Sequence, residues 1–333
     1  MDLGDVMTEM YKDLTKLIKE HNHIFIMAHK NIDLDGLGSA ICLYTIIKSF
    51  KKDCYVMLNE HEKNTSIVKA LANLKETNIT IDFVSHTNYA SYVASDSMVI
   101  VLDTHKRNMV ECPTLLDRVN DIVVMDHHVK SGDTIDHTVL SYVQANLSSM
   151  NELMVGYLRY LNKEVDATIA TIMLAGIEID TNAFNIKTSI TTYEAAAILA
   201  RMGADNIVKQ ELLQENKEVY IKRQQLILNS FHYGDNFEIC VLDDHIYERK
   251  DLALVSETLL KFEDVEASFT IGKTGPYKVG ISARSLGRVN VEKYMALLGG
   301  GGHFTDAAVQ LIETDVEQVK ELLLNTIKEG GKQ

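Results

Sequence analysis

The sequence predicts an α/β fold with a doubly wound, mostly parallel sheet and a smaller α/β C-terminal domain. Short apolar runs that are typical of buried strands alternate with longer stretches of helical periodicity, and such alternation is characteristic of parallel sheets. A second group of strand-like runs begins near residue 235, after a mainly helical region. The chain has 333 residues, of which 46% are hydrophobic, so it is long enough for two cores.

The elements of the first domain follow from its hydrophobic periodicity. Residues 1–20 place apolar side chains on one side of a helix. The predicted strands are 23–28, 54–58, 97–102 and 121–125. A helix predicted over 36–50 opens with Gly36-Leu37-Gly38-Ser39-Ala40. These small residues suit either tight helix–sheet packing or close approach of an anion to the helix N-terminus.

The region 147–232 is predicted to be helical, and Val208 to Phe231 is a charged helical stretch that could bridge two lobes. The later predicted elements are strands 237–242, 265–271 and 277–283 and helices 290–298 and 315–328. We therefore divide the chain into a first domain at 1–205, a helical linker at 206–234 and a second domain at 235–333.

The composition restricts the partners and the compartment. With 47 acidic and 33 basic residues, the net charge is −14, so we expect no long nucleic acid as a partner. A small anionic substrate is compatible with this charge if metals and a few arginines supply local positive charge. We expect no membrane segment, because no apolar run approaches the roughly 20 residues needed to span a bilayer. The four cysteines form no CxxC pair, which favours reduced core cysteines in a cytoplasmic protein.

Acidic and imidazole side chains follow three of the predicted strands and one helix. The groups are His29, Asp33 and Asp35; Asp103 and His105; Asp126, His127 and His128; and Asp180. The carboxyl ends of parallel strands share one edge of the sheet, where ligands bind. One such residue is usually a cap or a turn former. Four groups together repel one another unless a cation compensates, so they indicate a site for Mn²⁺ or Mg²⁺.

Taken in order, these groups resemble the successive motifs of the DHH phosphoesterase superfamily. The motifs are His29-x-x-x-Asp33-x-Asp35, Asp103-Thr104-His105, Asp126-His127-His128 and Gly176-x-x-x-Asp180-Thr181. The run Gly299 to His303 is similar to the signature of the DHH-associated C-terminal domain. Within the superfamily, Gly280 to Ser285, Asn290-Val291 and Ala307-Ala308-x-Gln310 most resemble the GdpP-type cyclic di-AMP phosphodiesterases.

The resemblance implies an enzyme with two divalent metals, with Mn²⁺ favoured. One metal would bind His29 and Asp33, and the other would bind Asp35 and His127, with Asp103 and Asp180 as shared acids. His128 and Asp126 would be the catalytic pair, in which Asp126 orients a histidine. The ions would activate a bridging water that hydrolyses cyclic di-AMP to linear pApA.

The second domain would recognise the substrate, and the active site would lie in the cleft between the two domains. We expect Arg284 to bind phosphate, because its fork matches phosphate oxygens. The residues Gly300, Gly301, Gly302 and His303 would approach the ligand closely. A surface ion pair for Arg284 and a flexible loop for the glycines are the structural alternatives. The family also makes a homodimer the expected assembly.

Three other functions stay open on the sequence. The first is a nano-RNase that acts on pApA or short oligonucleotides and also removes phosphate from pAp. The second is a nucleotide sensor without catalysis, which the complete ligand set disfavours. The third is a pyrophosphatase of the same superfamily, which the glycine-rich motif disfavours. Lys187 and Lys130 stand where the family often has arginine, which weakens the substrate assignment more than the metal assignment.

Overall fold

A computed structural model of the protein describes residues 3–59, 65–130, 132, 134–302 and 304–330. The chain forms two compact units, residues 1–214 and 215–333. Each unit contains its own six-stranded sheet. The predicted α/β fold is confirmed.

The first unit contains six strands and seven α-helices within the described residues. The strands are β1 (His23–Met27), β2 (Asp53–Met57), β3 (Phe83–Val84), β4 (Ser97–Leu102), β5 (Asp121–Asp126) and β6 (Leu140–Val143). The helices are α1 (Leu3–Glu20), α2 (Leu34–Ser49), α3 (Thr65–Glu76), α4 (Met150–Leu161), α5 (Ala167–Asp180), α6 (Ile190–Arg201) and α7 (Asn206–Leu213).

The first sheet is parallel and has the strand order β3-β2-β1-β4-β5-β6. The order reverses between β1 and β4, which are hydrogen-bonded neighbours. Connections from these two strands leave in opposite directions, so a crevice opens at their carboxyl ends. The topology therefore brings the segments after β1, β4 and β5 to one edge of the sheet.

Both faces of this sheet are covered by apolar side chains. Along β1, Ile24 and Ile26 belong to one buried cluster, whereas Phe25 and Met27 belong to a cluster on the other face. All four side chains are fully buried. A strand with two buried faces has a continuous apolar sequence, which explains why the runs were recognisable as parallel strands.

The second unit contains a mixed sheet with four helices in the described residues. Its strands are β7 (Ser230–Tyr233), β8 (Phe237–Ile246), β9 (Ala267–Gly275), β10 (Lys278–Ser285), β11 (Gly301–Gly302) and β12 (Asp306–Ile312). Its helices are α8 (Lys217–Ile227), α9 (Arg249–Leu259), α10 (Val291–Leu297) and α11 (Val316–Gly330). The strand order is β11-β12-β10-β9-β8-β7, with β8 and β9 parallel and the other pairs antiparallel.

Two local expectations differ from the structure. The segment 206–234 is not one helical stretch, because α7 ends at Leu213, α8 begins after Asn216 and β7 follows. The Asn216 side chain accepts hydrogen bonds from the backbone N–H groups of Glu218 and Val219, so it caps a new helix. The segment after the glycine run has a helix-like sequence, but it forms strand β12, which pairs with β10.

The prediction that the four cysteines are reduced residues of the protein core is confirmed. Cys42, Cys54, Cys112 and Cys240 are all buried and carry free thiols. Within the described part of the chain, no helix has the length and apolar character required to cross a membrane.

Candidate metal centre

Four separate segments of the first unit carry the predicted ligands to the carboxyl edge of its sheet. His29 follows β1, and its backbone forms an isolated bridge with Val110. Asp33 caps the N-terminus of α2, and Asp35 lies in the first turn of that helix. Asp103 follows β4, His127 and His128 follow β5, and Asp180 is the last residue of α5.

Asp103 lies between two groups of candidate ligands. Its Oδ2 is 3.3 Å from Nε2 of His29, and its Oδ1 is 3.1 Å from Nε2 of His127. On the first side, Asp33 Oδ2 lies 3.7 Å from Nε2 of His29. On the second side, Nε2 of His127 lies 3.1 Å from Asp180 Oδ2 and 3.9 Å from Asp35 Oδ2. All six predicted ligands are therefore close together, in two groups joined by Asp103.

Asp33 caps the N-terminus of α2 with one carboxylate oxygen and faces the other candidate ligands with the second. Its Oδ1 accepts hydrogen bonds of 3.0 Å from the backbone N–H groups of Asp35 and Gly36. Its Oδ2 is the atom nearest to His29. The cap fixes the orientation of the carboxylate, so the ordinary structural role and the ligand role are compatible.

Asp35 is held by a helix N-terminus that the sequence analysis did not connect with the site. Its carboxylate accepts hydrogen bonds from the backbone N–H groups of Met150 and Asn151 at the start of α4, at 2.7 and 2.9 Å. The Asn151 side chain donates another at 2.7 Å. The helix dipole and these donors stabilise a fully buried negative charge. The available signal was Ser149-x-x-Glu152, a pattern that marks a helix start.

Two glycines make room for Asn151 between α2 and α5. A Cβ on Gly176 would lie 2.3 Å from Nδ2 of Asn151 and 2.7 Å from the carbonyl oxygen of Leu34. A Cβ on Gly38 would lie 2.9 Å from Oδ1 of Asn151. These glycines therefore serve close packing, and the packing positions a residue that holds Asp35.

The electrostatics of the site favour a cation. Burial lowers the pKa of His29 and of His127, but the neighbouring carboxylates outweigh burial and raise each pKa to about 11. Burial raises the pKa of Asp35 and of Asp180, and other carboxylates raise both further. Burial also raises the pKa of Asp103, but His127 and His29 lower it more, so the net shift is downward. Both histidines are therefore protonated. Their positive charges stabilise the neighbouring carboxylates, as bound metal cations would.

The donor set fits divalent metals. Asp103 Oδ1 and His127 Nε2 are buried and make no hydrogen bond to any described residue, although they are 3.1 Å apart. Buried polar atoms are seldom left without a partner, and one ion coordinated by both atoms would satisfy them. Asp180 lies at a helix C-terminus, where the helix dipole disfavours a carboxylate and a cation would offset that cost. The set of imidazoles and carboxylates therefore suits a divalent metal ion.

We expect metal binding to release protons. His29 and His127 carry protons in the metal-free protein, because each pKa is about 11, and both must be neutral to bind a metal. Titration with Mn²⁺ at a pH of about 7.5 should therefore release roughly two protons. Calorimetry in buffers of different ionisation enthalpy measures this number. His127→Gln should release about one proton fewer. His86→Gln, which changes an exposed histidine bonded to Asn59, should release the wild-type number; proton-free binding by wild type would contradict the assignment.

Asp126 supports two histidines and is itself fully buried. It accepts a 2.8 Å hydrogen bond from Nδ1 of His128 and a short one from Nδ1 of His105. Burial raises the pKa of Asp126, but His128 lowers it more, so the carboxyl stays ionised. Asp126 is therefore placed as a positioning residue, and His105, which had no predicted role, is its second partner. The His128 side chain is 54% exposed and can reach a substrate.

The predicted substrate residues lie in the second unit. Arg284 Nε donates to Oε1 of Glu257 at 3.3 Å and lies 3.1 Å from Oδ1 of Asp306, so the ion-pair alternative is present. A Cβ on Gly300 or Gly302 would lie 2.4 and 2.3 Å from backbone oxygens of β12, whereas Gly301 faces open space. Two of the glycines thus permit close strand pairing. His303 lies outside the described residues.

Two domain families match this chain, one after the other. A model described as "DHH family, N-terminal domain" matches residues 23–177, and a DHHA1 domain model matches residues 235–329. The cyclic-di-AMP phosphodiesterase GdpP of Geobacillus thermodenitrificans is 35% identical over 326 residues, which cover 96% of this chain and 50% of that protein. The chain therefore spans about half the length of this relative.

Two further proteins extend the comparison. The bifunctional oligoribonuclease and PAP phosphatase NrnA of Thermus thermophilus is 24% identical over 98% of this chain and 97% of its own length. An exopolyphosphatase-related protein from Bacteroides fragilis has a TM-score of 0.76 at 19% identity, with 98% of both chains covered, and so shares the fold. With the family matches lying in the two units in order, the chain belongs to the DHH family and carries a DHHA1 domain after its DHH domain.

Proposed function

We propose that this chain is a metal-dependent phosphodiesterase that hydrolyses cyclic di-AMP to linear pApA. The position of Asp103 between the His29 and His127 groups carries the proposal, because two ions that share a carboxylate are suited to displacement at phosphorus. The relative at 35% identity, whose name is cyclic-di-AMP phosphodiesterase, supports the substrate.

In this proposal, two divalent cations occupy the two ligand groups, and Mn²⁺ is the preferred ion. His29, Asp33 and Asp103 hold one, and Asp35, His127 and Asp180 hold the other. The four carboxylates balance the four positive charges of two divalent ions. When bound, such cations neutralise charge on phosphoryl oxygens and lower the pKa of an attacking water.

His128 is proposed to protonate the leaving ribose 3′-oxygen. Its Nδ1 donates to the ionised carboxylate of Asp126, and this contact leaves Nε2 as the atom that faces a substrate. A proton on Nε2 would be directed toward the substrate, where a departing oxygen requires a proton donor. Asp126 acts through His128 and does not contact the substrate.

The remaining sequence-based assignments stay predictions. They include the division into the domains 1–205, 206–234 and 235–333 and the roles of these domains. They also include phosphate binding by Arg284, ligand contact by Gly300 to His303, the homodimer and the cytoplasmic location. In the second unit, Arg284 and Gly300 line a common pocket, which supports a joint role in substrate binding.

A nano-RNase that cleaves pApA and dephosphorylates pAp is the second candidate. Its support is the relative named as an oligoribonuclease and PAP phosphatase, which aligns with 98% of this chain. The metal groups serve either reaction, because both require attack of water at phosphorus. The two candidates differ in the nucleotide that is cleaved first.

The purified protein with Mn²⁺ should therefore be compared on cyclic di-AMP, pApA and pAp. We expect the highest kcat/KM for cyclic di-AMP, with pApA accumulating as the product, and no reaction after the metal is removed with EDTA. Much faster turnover of pApA would replace the first proposal by the nano-RNase. Tight binding of cyclic di-AMP without any product in the presence of Mn²⁺ would contradict both.

A further inference from the structure

One face of the second sheet carries a pocket with a volume of about 600 Å³. In the register of β10 with β12, Gly280 lies opposite Gln310 and Arg284 lies opposite Asp306. Alternate residues of a strand share a face, so Gly280, Arg284 and Gln310 point to the same side of the sheet. The opposite side carries core residues such as Ile281. The pocket therefore has Arg284 toward one end of the paired strands and Gln310 toward the other.

The floor of this pocket is made of small residues. Gly280 lies beside Gln310 on the neighbouring strand, and Ala308 lies between the levels of Gln310 and Arg284. A Cβ on Gly280 would lie 2.9 Å from Cγ2 of Thr274 and 3.3 Å from Cδ2 of Leu252. Gly280 therefore lets Thr274 and Leu252 pack closely against the sheet, whereas the small side chain of Ala308 leaves room in the pocket for a planar ligand. An apolar floor with a few fixed polar groups is the usual form of a small-molecule site.

The Gln310 amide is fixed by two neighbours on the pocket wall. Arg249 Nη2 donates to Oε1 of Gln310, and Nε2 of Gln310 donates to Oγ1 of Thr274 at 3.0 Å. Because a guanidinium has no acceptor, Arg249 determines which end of the amide carries the oxygen. An amide has two N–H donors and two oxygen lone pairs. One donor and one acceptor of Gln310 therefore remain for a ligand, in a fixed order.

We propose that Gln310 is the residue that selects adenine in the substrate, with Arg249 as the positioning residue that holds its amide. Adenine presents its N6 amino donor beside an acceptor nitrogen, N7 on one edge and N1 on the other. A glutamine amide pairs with this pattern through two hydrogen bonds. This inference rests on the proposed function, because it assigns the base that the same enzyme would recognise.

Guanine does not match the fixed amide in the same way. Its N7 and O6 are both acceptors, so on that edge one of the two contacts sets oxygen against oxygen. On the other edge, the O6 acceptor and the N1 donor stand in the reverse order, and a pinned amide cannot turn to follow them. In the pose that suits adenine, guanine therefore leaves at least one mismatched contact with the Gln310 amide.

Arg284 gives the bound nucleotide a direction. Arg284 lies four positions after Gly280 on β10, and Gly280 is the register partner of Gln310. Four steps along a strand correspond to roughly 13 Å. This separation is comparable to the long dimension of a nucleotide. With phosphate at Arg284 and the base at Gln310, the sugar would lie over Ser282 and Ala308, which both line the pocket.

The test compares base preference in four variants. For wild type, Gln310→Leu, Gln310→Glu and Arg249→Ala, kcat/KM is measured with Mn²⁺ on cyclic di-AMP and on cyclic di-GMP. We expect the adenine preference to fall by roughly 5- to 150-fold in both Gln310 variants, as for loss of a bidentate base contact. Arg249→Ala should lower it less, because the amide remains but can turn. Lys278→Ala, an exposed β10 residue that lies outside the pocket lining, removes the same charge and should change nothing.

Binding separates failure of this inference from failure of the proposed function. The affinities of the same variants for the two cyclic dinucleotides are measured by calorimetry in EDTA. If wild type hydrolyses neither compound, the proposed function fails, and the binding ratio alone decides the role of Gln310. An unchanged preference in folded Gln310→Leu and Gln310→Glu would overturn the inference, as would wild-type protein that binds neither dinucleotide. Gln310→Glu keeps the size and the Arg249 contact, so it covers the case in which Gln310→Leu does not fold.

Discussion

Replacement of Asp103 by alanine should lower turnover of the dinucleotide by roughly 10²- to 10⁴-fold, since the loss of metal-based charge stabilisation is worth several kcal/mol. Asp103 is the carboxylate that lies within 3.3 Å of both His29 and His127, so its removal weakens both ligand groups together. Steady-state rates on cyclic di-AMP and Mn²⁺ affinity by calorimetry should fall in the same variant. The fold should survive, because the sheet is held by apolar packing on both faces.

A second variant separates the effect of losing the Asp103 charge from the effect of straining the backbone at this position. Asp103 has φ of +61°, a region that alanine adopts with strain and asparagine tolerates. Asp103→Asn should therefore lose activity to a similar extent with a smaller change in thermal midpoint. Asp117→Ala, which removes an exposed carboxylate paired with Arg107, controls for loss of one charge and should keep full activity. Near-wild-type turnover in Asp103→Asn and Asp103→Ala would refute the two-metal assignment.

Replacement of Gly176 by alanine should destabilise the first unit by about 3 kcal/mol or more, as expected for overpacking in a closely packed interior. The added Cβ would lie 2.3 Å from Nδ2 of Asn151 and 2.8 Å from Cα of Asp35. Neither neighbour can move without breaking the hydrogen bonds that hold the Asp35 carboxylate. Chemical denaturation should show the lower stability, and calorimetry should show weaker Mn²⁺ binding.

Gly275→Ala is the matched control for this change. Its Cβ would meet nothing nearer than the Lys278 side chain at 3.6 Å, which is an ordinary contact. We expect its unfolding free energy to stay within about 0.5 kcal/mol of wild type. Wild-type stability in Gly176→Ala would mean that the α2–α5 contact is looser than the structure places it.

The clustering of the candidate ligands could be predicted from the sequence because two local signals coincide. Three of the apolar runs have a strand pattern and are also followed by residues with ligand chemistry, as Leu102 is followed by Asp103. Parallel pairing then brings the ends together without any knowledge of side-chain contacts. The substrate, in contrast, was proposed only from the resemblance to GdpP-type enzymes, because no local sequence pattern specifies a nucleotide.

The support of Asp35 could not be predicted, because it depends on contacts that are distant in the chain. Asn151 lies 116 residues after Asp35, and no periodicity in either segment links them. Helix α9 and strand β12 were missed for a different reason. Arg249–Leu259 mixes charged and apolar residues, and β12 follows a glycine run that composition alone treats as loop. The strand pairing of β12 with β10, which is a tertiary contact, decides the second case.

The origin of the ligands in four segments has a thermodynamic consequence. His29 and Asp180 are the first and last candidate ligands in the chain. Strand β1 directly precedes His29, and β4 and β5 lie between the two residues in sequence. A cation bound there interacts only with a chain in which these segments have already met, so its binding free energy adds to the stability of the native state by mass action. Metal availability would then control the folded fraction of the first unit as well as its rate of turnover.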